Sequence, residues 1–281
     1  MATYTVRELD LFLQAVQGAR SEALPLGELL EREVRALLDA HHARHPAAPC
    51  YLRGEYREGK SKKTDEEIFA EPMDEAKARK AVASFHLFDG WDDVRRHAAE
   101  IVDPRFESAC DAIVAGDVPK LQQLLAEDPA LVRARSPFAH HCTLLQHVGA
   151  NGIELTRQWQ SPKSAPEIAQ VLLAAGSDPD ATCDCYGGGY GAMDLLVTSA
   201  HPAAAGVMAD VVHTLCRGGA NPNGPADDGS SLWCAGTAGG ARLGGSGSGE
   251  NAARSSNHRR CWNARSTTPP CTGASLSWNS C

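Results

Sequence analysis

The sequence predicts an all-α fold with a helical N-terminal region, a row of stacked helical repeats and a disordered tail. Two observations predict the helices. Apolar residues recur at helical spacing through the first third of the chain, and one helix-and-turn pattern recurs in its middle. The tail, residues 235–281, has Gly or Ser at sixteen of its 47 positions and few large apolar side chains. It cannot bury enough apolar area to offset the entropy lost on ordering, so we expect it to be disordered.

Charge and composition exclude several classes of function. The 281 residues carry a net charge of −8, which divides into −12 for residues 1–234 and +4 for the tail. This acidic balance argues against a general nucleic-acid binder. No apolar run is long enough to span a membrane, so we expect no membrane partner. The ten cysteines lack the spacing of a disulfide scaffold, which predicts a cytoplasmic protein with reduced thiols.

The first region, residues 1–60, contains two predicted helices. Leucine, phenylalanine and valine residues at helical spacing predict a helix over 7–19 and another over 27–43. We expect Pro46 and Pro49 to end the second of these helices, because the residue before a proline disfavours helical geometry.

The second region, residues 64–103, is predicted to be a helical leader. The charged run at 57–67 that precedes it is typical of a solvated connection. Helical patterns then cover 73–85 and 91–102, and we expect Trp91 to be a core anchor between these helices.

Residues 106–234 contain an internal repeat. A helix that ends at Gly176 and is followed by Asp-Pro-Asp recurs as a helix that ends at Gly219 and is followed by Asn-Pro-Asn. An earlier copy begins at Val118. Glycine suits the left-handed end of a helix, and the Asx-Pro pair fixes the turn that follows. A helix precedes each copy and cannot bury its apolar face alone, so we expect the helix pairs to stack.

These residues resemble the ankyrin repeat. The segment that begins at Thr143, Thr-Leu-Leu-Gln-His-Val-Gly-Ala-Asn-Gly, is similar to the ankyrin signature Thr-Pro-Leu-His-x-Ala-Ala-x-x-Gly, and the two Asx-Pro turns match the turn between ankyrin repeats. Residues 77–98 are similar to the helical leader of some bacterial ankyrin proteins. The resemblance implies a short α-solenoid over 106–234 that binds another protein. Insertions near 153–164 and 199–207 lengthen the repeats, and such insertions are often where partners dock.

The repeat array is predicted to lack a capping repeat. The array stops after Trp233, which predicts an exposed apolar patch near Leu232 and Trp233. Such a patch would allow two copies of the chain to associate through the uncapped end. Residues 260–281 can be back-translated with codons that end in G or C. When that nucleotide sequence is read in the frame that begins two nucleotides later, it encodes a further ankyrin-like string. We therefore hypothesise that the tail is an out-of-frame reading of a longer array, with a genuine flexible tail as the alternative.

The predicted partner-binding residues are aromatic and histidine side chains at turns and insertions, because aromatic residues are enriched at binding hot spots. They are Phe138, His140, His141, Trp159, Tyr186 and Tyr190. No nucleophile elbow accompanies Ser136 or His140, so we expect no enzymatic activity and no cofactor.

Two groups of residues raise the question of a metal. His41, His42 and His45 lack the glutamate of a zincin motif, so we assign no metal there. A second group has mixed Cys/His chemistry but matches no compact zinc module, and it comprises His140, His141, Cys142, His147, Cys183 and Cys185. We interpret this second group as packing and surface residues. The alternative function is a regulatory metal or small-ligand binder that uses it.

The glycine-rich loop over 187–191 is the remaining motif. The Gly-Lys-Ser/Thr sequence of a phosphate-binding loop does not follow it, and Asp194 would repel a phosphate. We therefore interpret the loop as a flexible finger between repeats with a hinge or binding role.

Overall fold

The computed structural model describes Phe12 and residues 22–55, 63–151, 153–154, 157–158 and 160–222. Within this part the chain is mostly helical, with twelve α-helices and one pair of two-residue strands, which confirms the all-α prediction. Most of the predicted helix over 7–19 lies outside the described residues, as do Trp159, Leu232, Trp233 and the predicted tail. None of the helices described is long and apolar enough to cross a membrane.

The described part of the N-terminal region has five helices and a short antiparallel sheet. Its elements are β1 (Leu24–Pro25), α1 (Leu26–His42), α2 (Ala47–Glu55), α3 (Asp65–Ala70), α4 (Glu75–Phe85), α5 (Trp91–His97) and β2 (Ile101–Val102). The strands pair with Leu24 opposite Val102, so the sheet joins the beginning of this region to its end.

Three elements of this region differ from the prediction. Helix α1 ends at His42, ahead of Pro46, as predicted, but helix α2 was not predicted; Pro49 is its third residue, where the backbone N–H has no partner within the helix. Helix α3 begins inside the connection predicted to be solvated, where Thr64 and Glu67 form a capping box with a 2.7 Å bond from the Thr64 N–H to Glu67 Oε2. Helix α5 ends at His97, and the last residues of the predicted helix over 91–102 form β2 instead.

One hydrophobic core joins the regions that we separated as 1–60 and 64–103. Helix α1 packs against α4 at its centre, and Trp91 is partly buried at its edge. Phe138 comes from the second half of the chain but belongs to this core, where it stacks on His86 with the ring centroids 4.9 Å apart. The two halves of the chain therefore contact each other through Phe138.

Seven helices lie in the described residues of the second half. They are α6 (Pro104–Ala115), α7 (Val118–Glu127), α8 (Leu144–His147), α9 (Ala165–Ala174), α10 (Ala192–Thr198), α11 (Ala200–Ala205) and α12 (Met208–Arg217). Helix α8, one of the helices predicted to precede a repeat copy, has only four residues. The chain leaves helical geometry at Ala150, whose φ is +44°.

The helices of this half pack in two rows. Helices α6, α8 and α10 contact one another in sequence, and α7, α9 and α12 do the same beside them. The apolar side chains between the rows form a second core, in which Leu121, Ile168 and Leu172 are fully buried. Burial of each such side chain contributes about 1.5–3 kcal/mol, so most of the stability of these short helices comes from packing between helices.

Glycine residues end the repeated helices in the same way. Gly176 and Gly219 both have a φ of +98°. At the first of these turns the N–H of Ser177 donates to the carbonyl of Leu172 at 3.0 Å, and the equivalent bond at the second turn has the same length. Only glycine adopts such a φ readily, so the predicted glycine-ended helices are confirmed at both positions.

Candidate functional site

Residues 183–191 form a finger that folds back on itself between α9 and α10. The N–H of Cys183 donates to the carbonyl of Tyr190 at 2.9 Å, which closes the base of the finger. The glycines at 187–189 have φ values of 106°, 93° and 81°. Residues with side chains rarely adopt these values, so the glycine run makes this reversal of the chain possible.

Backbone hydrogen bonds fasten the finger to the segment before α8. The N–H of Asp184 donates to the carbonyl of His140 at 2.9 Å. The Arg135 guanidinium donates to the carbonyls of His141 and Thr182 at 2.8 and 2.7 Å. One arginine therefore bridges the finger to that segment.

Three cysteine side chains meet where the base of the finger lies against α8. Cys142, Cys183 and Cys185 are all buried, with no more than 2% of each exposed. Their sulfur atoms lie within 4.8 Å of one another, and the Sγ atoms of Cys142 and Cys185 are 3.7 Å apart. The apolar wall around this thiol cluster consists of Ile153, Leu195 and the partly buried Tyr190.

Hydrogen bonds within the thiol cluster favour negative charge on one sulfur. The hydrogen bonds that Cys142 and Cys185 donate to Cys183 hold the pKa of the Cys183 thiol well below its ordinary value, although burial acts in the opposite direction. Burial raises the pKa of the Cys142 thiol. These hydrogen bonds therefore favour the ionised form of Cys183 over that of its two neighbours.

A buried carboxylate, Glu154, lies beside two histidines of different charge. The Cys142 N–H donates to His140 Nδ1 at 3.1 Å, so neutral His140 carries its proton on Nε2, which lies 3.6 Å from Glu154 Oε1. His147 donates from Nδ1 to the Thr143 carbonyl at 3.0 Å and from Nε2 to Glu154 Oε1 at 3.2 Å. Because both of its nitrogens face acceptors, His147 is the protonated histidine.

The pKa shifts of these three groups agree with that assignment. Burial lowers the pKa of His140. Burial also opposes protonation of His147, but the hydrogen bond and charge of Glu154 outweigh it and raise the pKa of His147. Burial disfavours the Glu154 carboxylate, yet the imidazole nitrogens of His140 and His147 that face it hold its pKa well below the usual range.

Arg157 extends this network to helix α6. Its guanidinium pairs with Glu107 at 2.7 Å, with Asp111 at 3.1 Å and with Glu154 at 3.4 Å. The side chains of Arg157 and Glu107 are only 8% and 2% exposed. Glu154 and Arg157, which belong to an insertion predicted to dock partners, thus contribute two charges that are buried against α6.

A second group of ionisable side chains lies at the surface. The ligand atoms of His97, Glu100 and His141 fall within 4.8 Å of one another. His97 pairs with Glu100 at 2.6 Å, and His141 pairs with Asp184 at 2.7 Å. Each histidine thus has a carboxylate partner and exposure to solvent, as in ordinary surface ion pairs.

Two of the predicted partner-binding residues are buried. Phe138 and His140 are each 2% exposed. Phe138 packs in the N-terminal core, and His140 points toward Glu154. Neither side chain is available to a partner in this structure, which corrects the prediction of surface contacts at these two positions.

The other predicted partner-binding residues include the exposed aromatic of the finger. Tyr186 is 42% exposed and packs edge-to-face on the partly buried Tyr190, with ring centroids 5.7 Å apart. His141 is half-buried beside the finger. Trp159 lies outside the described residues.

The histidines at positions 41–45 have separate structural partners. His41 Nε2 donates to the Ile68 carbonyl at 3.0 Å, and His45 Nδ1 accepts a bond from the Ala47 N–H at 3.2 Å. They do not appear among the clusters of ligating atoms in the described part of the chain.

The glycine-rich loop ends at a capped helix. The N–H of Gly191 donates to the Asp194 carboxylate at 2.7 Å, at the position where a phosphate-binding loop would hold its anion. A carboxylate fixed there would repel a phosphate, as the sequence indicates.

Sequence reasoning missed the carboxylates and the arginine of the buried network. Glu107 follows Phe106 on the buried face of α6. An acidic residue on such a face was the sequence signal that could have indicated a buried, paired charge. For Glu154 and Arg157, no local pattern pointed to burial, because the ion pair that anchors them to α6 joins Arg157 to Glu107, which lies 50 residues earlier in the chain.

Comparisons with family models, with curated proteins and with solved structures found no match for this chain. The ankyrin resemblance therefore rests on the residues and turns of this chain alone and stays a prediction.

Proposed function

We propose that this protein is a non-catalytic helical-repeat module of the ankyrin type that binds another protein through the finger. The two rows of helices and the matching glycine turns support a repeat architecture. Polar links between successive repeats also support it. Gln146 donates to the Ala181 carbonyl at 2.7 Å, and the Asn221 N–H donates to the Asp180 carboxylate at 2.9 Å. Such repeats provide a rigid base for variable turns.

The exposed side chain of Tyr186 is the observation that carries this proposal. Among the described residues, Tyr186 and Ile101 are the large hydrophobic side chains with the most exposure, at 42% and 53%. Tyr186 has a positive φ of 54°, which is uncommon for a residue with a side chain and is often associated with function. Its hydroxyl donates to Asn151 Oδ1 at 2.5 Å, which limits the freedom of the ring.

A tyrosine held in this way is suited to binding. A restrained aromatic side chain loses little conformational entropy when a partner covers it, and tyrosine is enriched at binding hot spots. Asp184 stands beside it with a side chain 63% exposed. We therefore expect the partner to offer an apolar pocket with a lysine or arginine at its rim.

A comparison of variants tests this function. The tagged full chain would be expressed in its source cells as wild type, as the double variant Tyr186→Ala/Tyr190→Ala and as Ile101→Ala, which removes an exposed apolar side chain outside the finger. Quantitative mass spectrometry of co-purified proteins should detect a set that wild type and Ile101→Ala retain and the finger variant loses. If the finger variant, with an unchanged circular dichroism spectrum, retains the same proteins, the proposal is wrong.

A further inference from the structure

We propose that Cys142, Cys183 and Cys185 bind a thiophilic metal ion such as Zn²⁺. In a tetrahedral zinc site with Zn–S bonds of about 2.3 Å, two sulfur ligands lie about 3.8 Å apart. The Sγ atoms of Cys142 and Cys185 are 3.7 Å apart, and all three sulfurs lie within 4.8 Å of one another. The sulfurs thus have close to the spacing of ligands to one ion.

The backbone holds these ligands in position. Cys183 is fixed by its hydrogen bond to Tyr190, and Asp184, between the two finger cysteines, is fixed by its bond to the His140 carbonyl. Cys142 is anchored through the bond from its N–H to His140 Nδ1. Because these bonds do not involve the sulfur atoms, metal binding requires little rearrangement of the chain.

Sulfur ligands restrict the class of metal. Thiolates select soft or borderline ions such as Zn²⁺ and Cu⁺, whereas Mg²⁺ and Ca²⁺ require oxygen ligands. No fourth ligand atom lies within the same distance in the described part of the chain. The described residues thus supply three ligands to the ion, and the thiol protons would pass to the solvent on binding.

A metal at this site would cross-link the finger to the segment before α8. Cys142 precedes α8, while Cys183 and Cys185 belong to the base of the finger. The bound ion would restrict the finger on which Tyr186 stands. This inference does not depend on protein binding by the finger, because the cysteines are buried and Tyr186 is exposed.

Metal content is the first test. The full chain, purified with reductant, would be incubated with Zn²⁺, desalted and measured by elemental mass spectrometry. We expect about one zinc per chain in the wild type and none above the buffer blank in Cys183→Ser. Cys110→Ser is the matched control, because Cys110 is equally buried but lies outside the cluster, and it should retain the metal.

Two further measurements separate loss of the site from loss of the fold. Cobalt titration of a protein in which Cys261, Cys271 and Cys281 are replaced by Ser should produce thiolate-to-cobalt charge-transfer absorption. The circular dichroism spectrum of Cys183→Ser should show the same helix content as that of the wild type. The proposal is wrong if the wild type binds no zinc or if a folded Cys183→Ser retains it. A disulfide between Cys142 and Cys185 in the reduced, zinc-treated protein would also overturn it.

Discussion

His147 and Glu154 form a buried ion pair, with His147 Nε2 3.2 Å from Glu154 Oε1. Arg157 lies 3.4 Å from the other carboxylate oxygen, so Glu154 is the anion between two buried cations. Burial of such charges is tolerated only when each has a partner, since removal of one partner leaves a charge without compensation. Loss of one of these charges should therefore destabilise the second half of the chain.

Glu154→Gln should destabilise the protein by about 3–5 kcal/mol at neutral pH, because it removes the anion between His147 and Arg157. Urea unfolding followed by circular dichroism measures the change. The control is Glu66→Gln, at an exposed position in α3, which should change stability by less than about 0.5 kcal/mol. Equal midpoints for the two variants would contradict the role assigned to Glu154.

Stability should decrease on both sides of neutral pH. The pKa of His147 is raised above 6.5, so its contribution is complete below that pH and is lost as the pH rises through the raised value. The pKa of Glu154 is lowered below 4.5, so its contribution is present above pH 4.5 and is lost as the pH falls through the lowered value. Buried His140, with its lowered pKa, adds a loss as the pH falls below 6.5.

Urea midpoints measured across this pH range check that account. His147→Gln should flatten the alkaline decrease, because the group that titrates there is gone. His213→Gln, at an exposed position in α12, should keep the wild-type profile. An unchanged alkaline limb in His147→Gln would mean that this histidine does not carry the charge.

Gly176→Ala should destabilise the protein by about 1–2 kcal/mol, because alanine has a steric penalty at positive φ. The effect is purely conformational, since no atom lies within 4 Å of an added Cβ at this position. Gly90 provides the matched control, because its surroundings are equally open and its backbone is extended at a φ of 167°. Thermal or urea unfolding should therefore separate Gly176→Ala from Gly90→Ala.

Arg135→Ala should loosen the finger without unfolding the protein. The variant removes the hydrogen bonds to the His141 and Thr182 carbonyls, and bonds from a charged donor contribute about 1.5–3 kcal/mol each. Hydrogen exchange of the Cys183 amide should become at least roughly tenfold faster. Arg133→Ala, at an exposed position nearby, should leave that rate unchanged, and equal rates in the two variants would contradict the bridging role.

Local sequence signals predicted the regular elements well. The leucine spacing of α1 and the glycine that ends the helix at position 176 are encoded within a few residues, so both were predictable. Helix α3 was missed because its capping box, Thr64 with Glu67, lies in a run dominated by charge. The burial of Phe138 depends on the N-terminal helices, which no local pattern near Phe138 reveals.

The candidate site was only partly predictable for the same reason. Sequence spacing drew attention to Cys142, Cys183 and Cys185 but could not indicate that a finger would bring their sulfurs together. The position of Arg157 depends on its long-range ion pair with Glu107, and Glu154 is held in turn by Arg157 and His147. Side chains whose partners are distant in sequence are determined by tertiary packing, and periodicity carries no information about them.

Site-specific photo-crosslinking tests the proposed binding role of the finger most directly. A photo-reactive amino acid would replace Tyr186 in one protein and Ile101 in another, and both would be illuminated in the source cells. We predict that a discrete protein partner is crosslinked from position 186 and not from position 101. Crosslinks that are the same from both positions, or that arise only from position 101, would contradict binding through the finger.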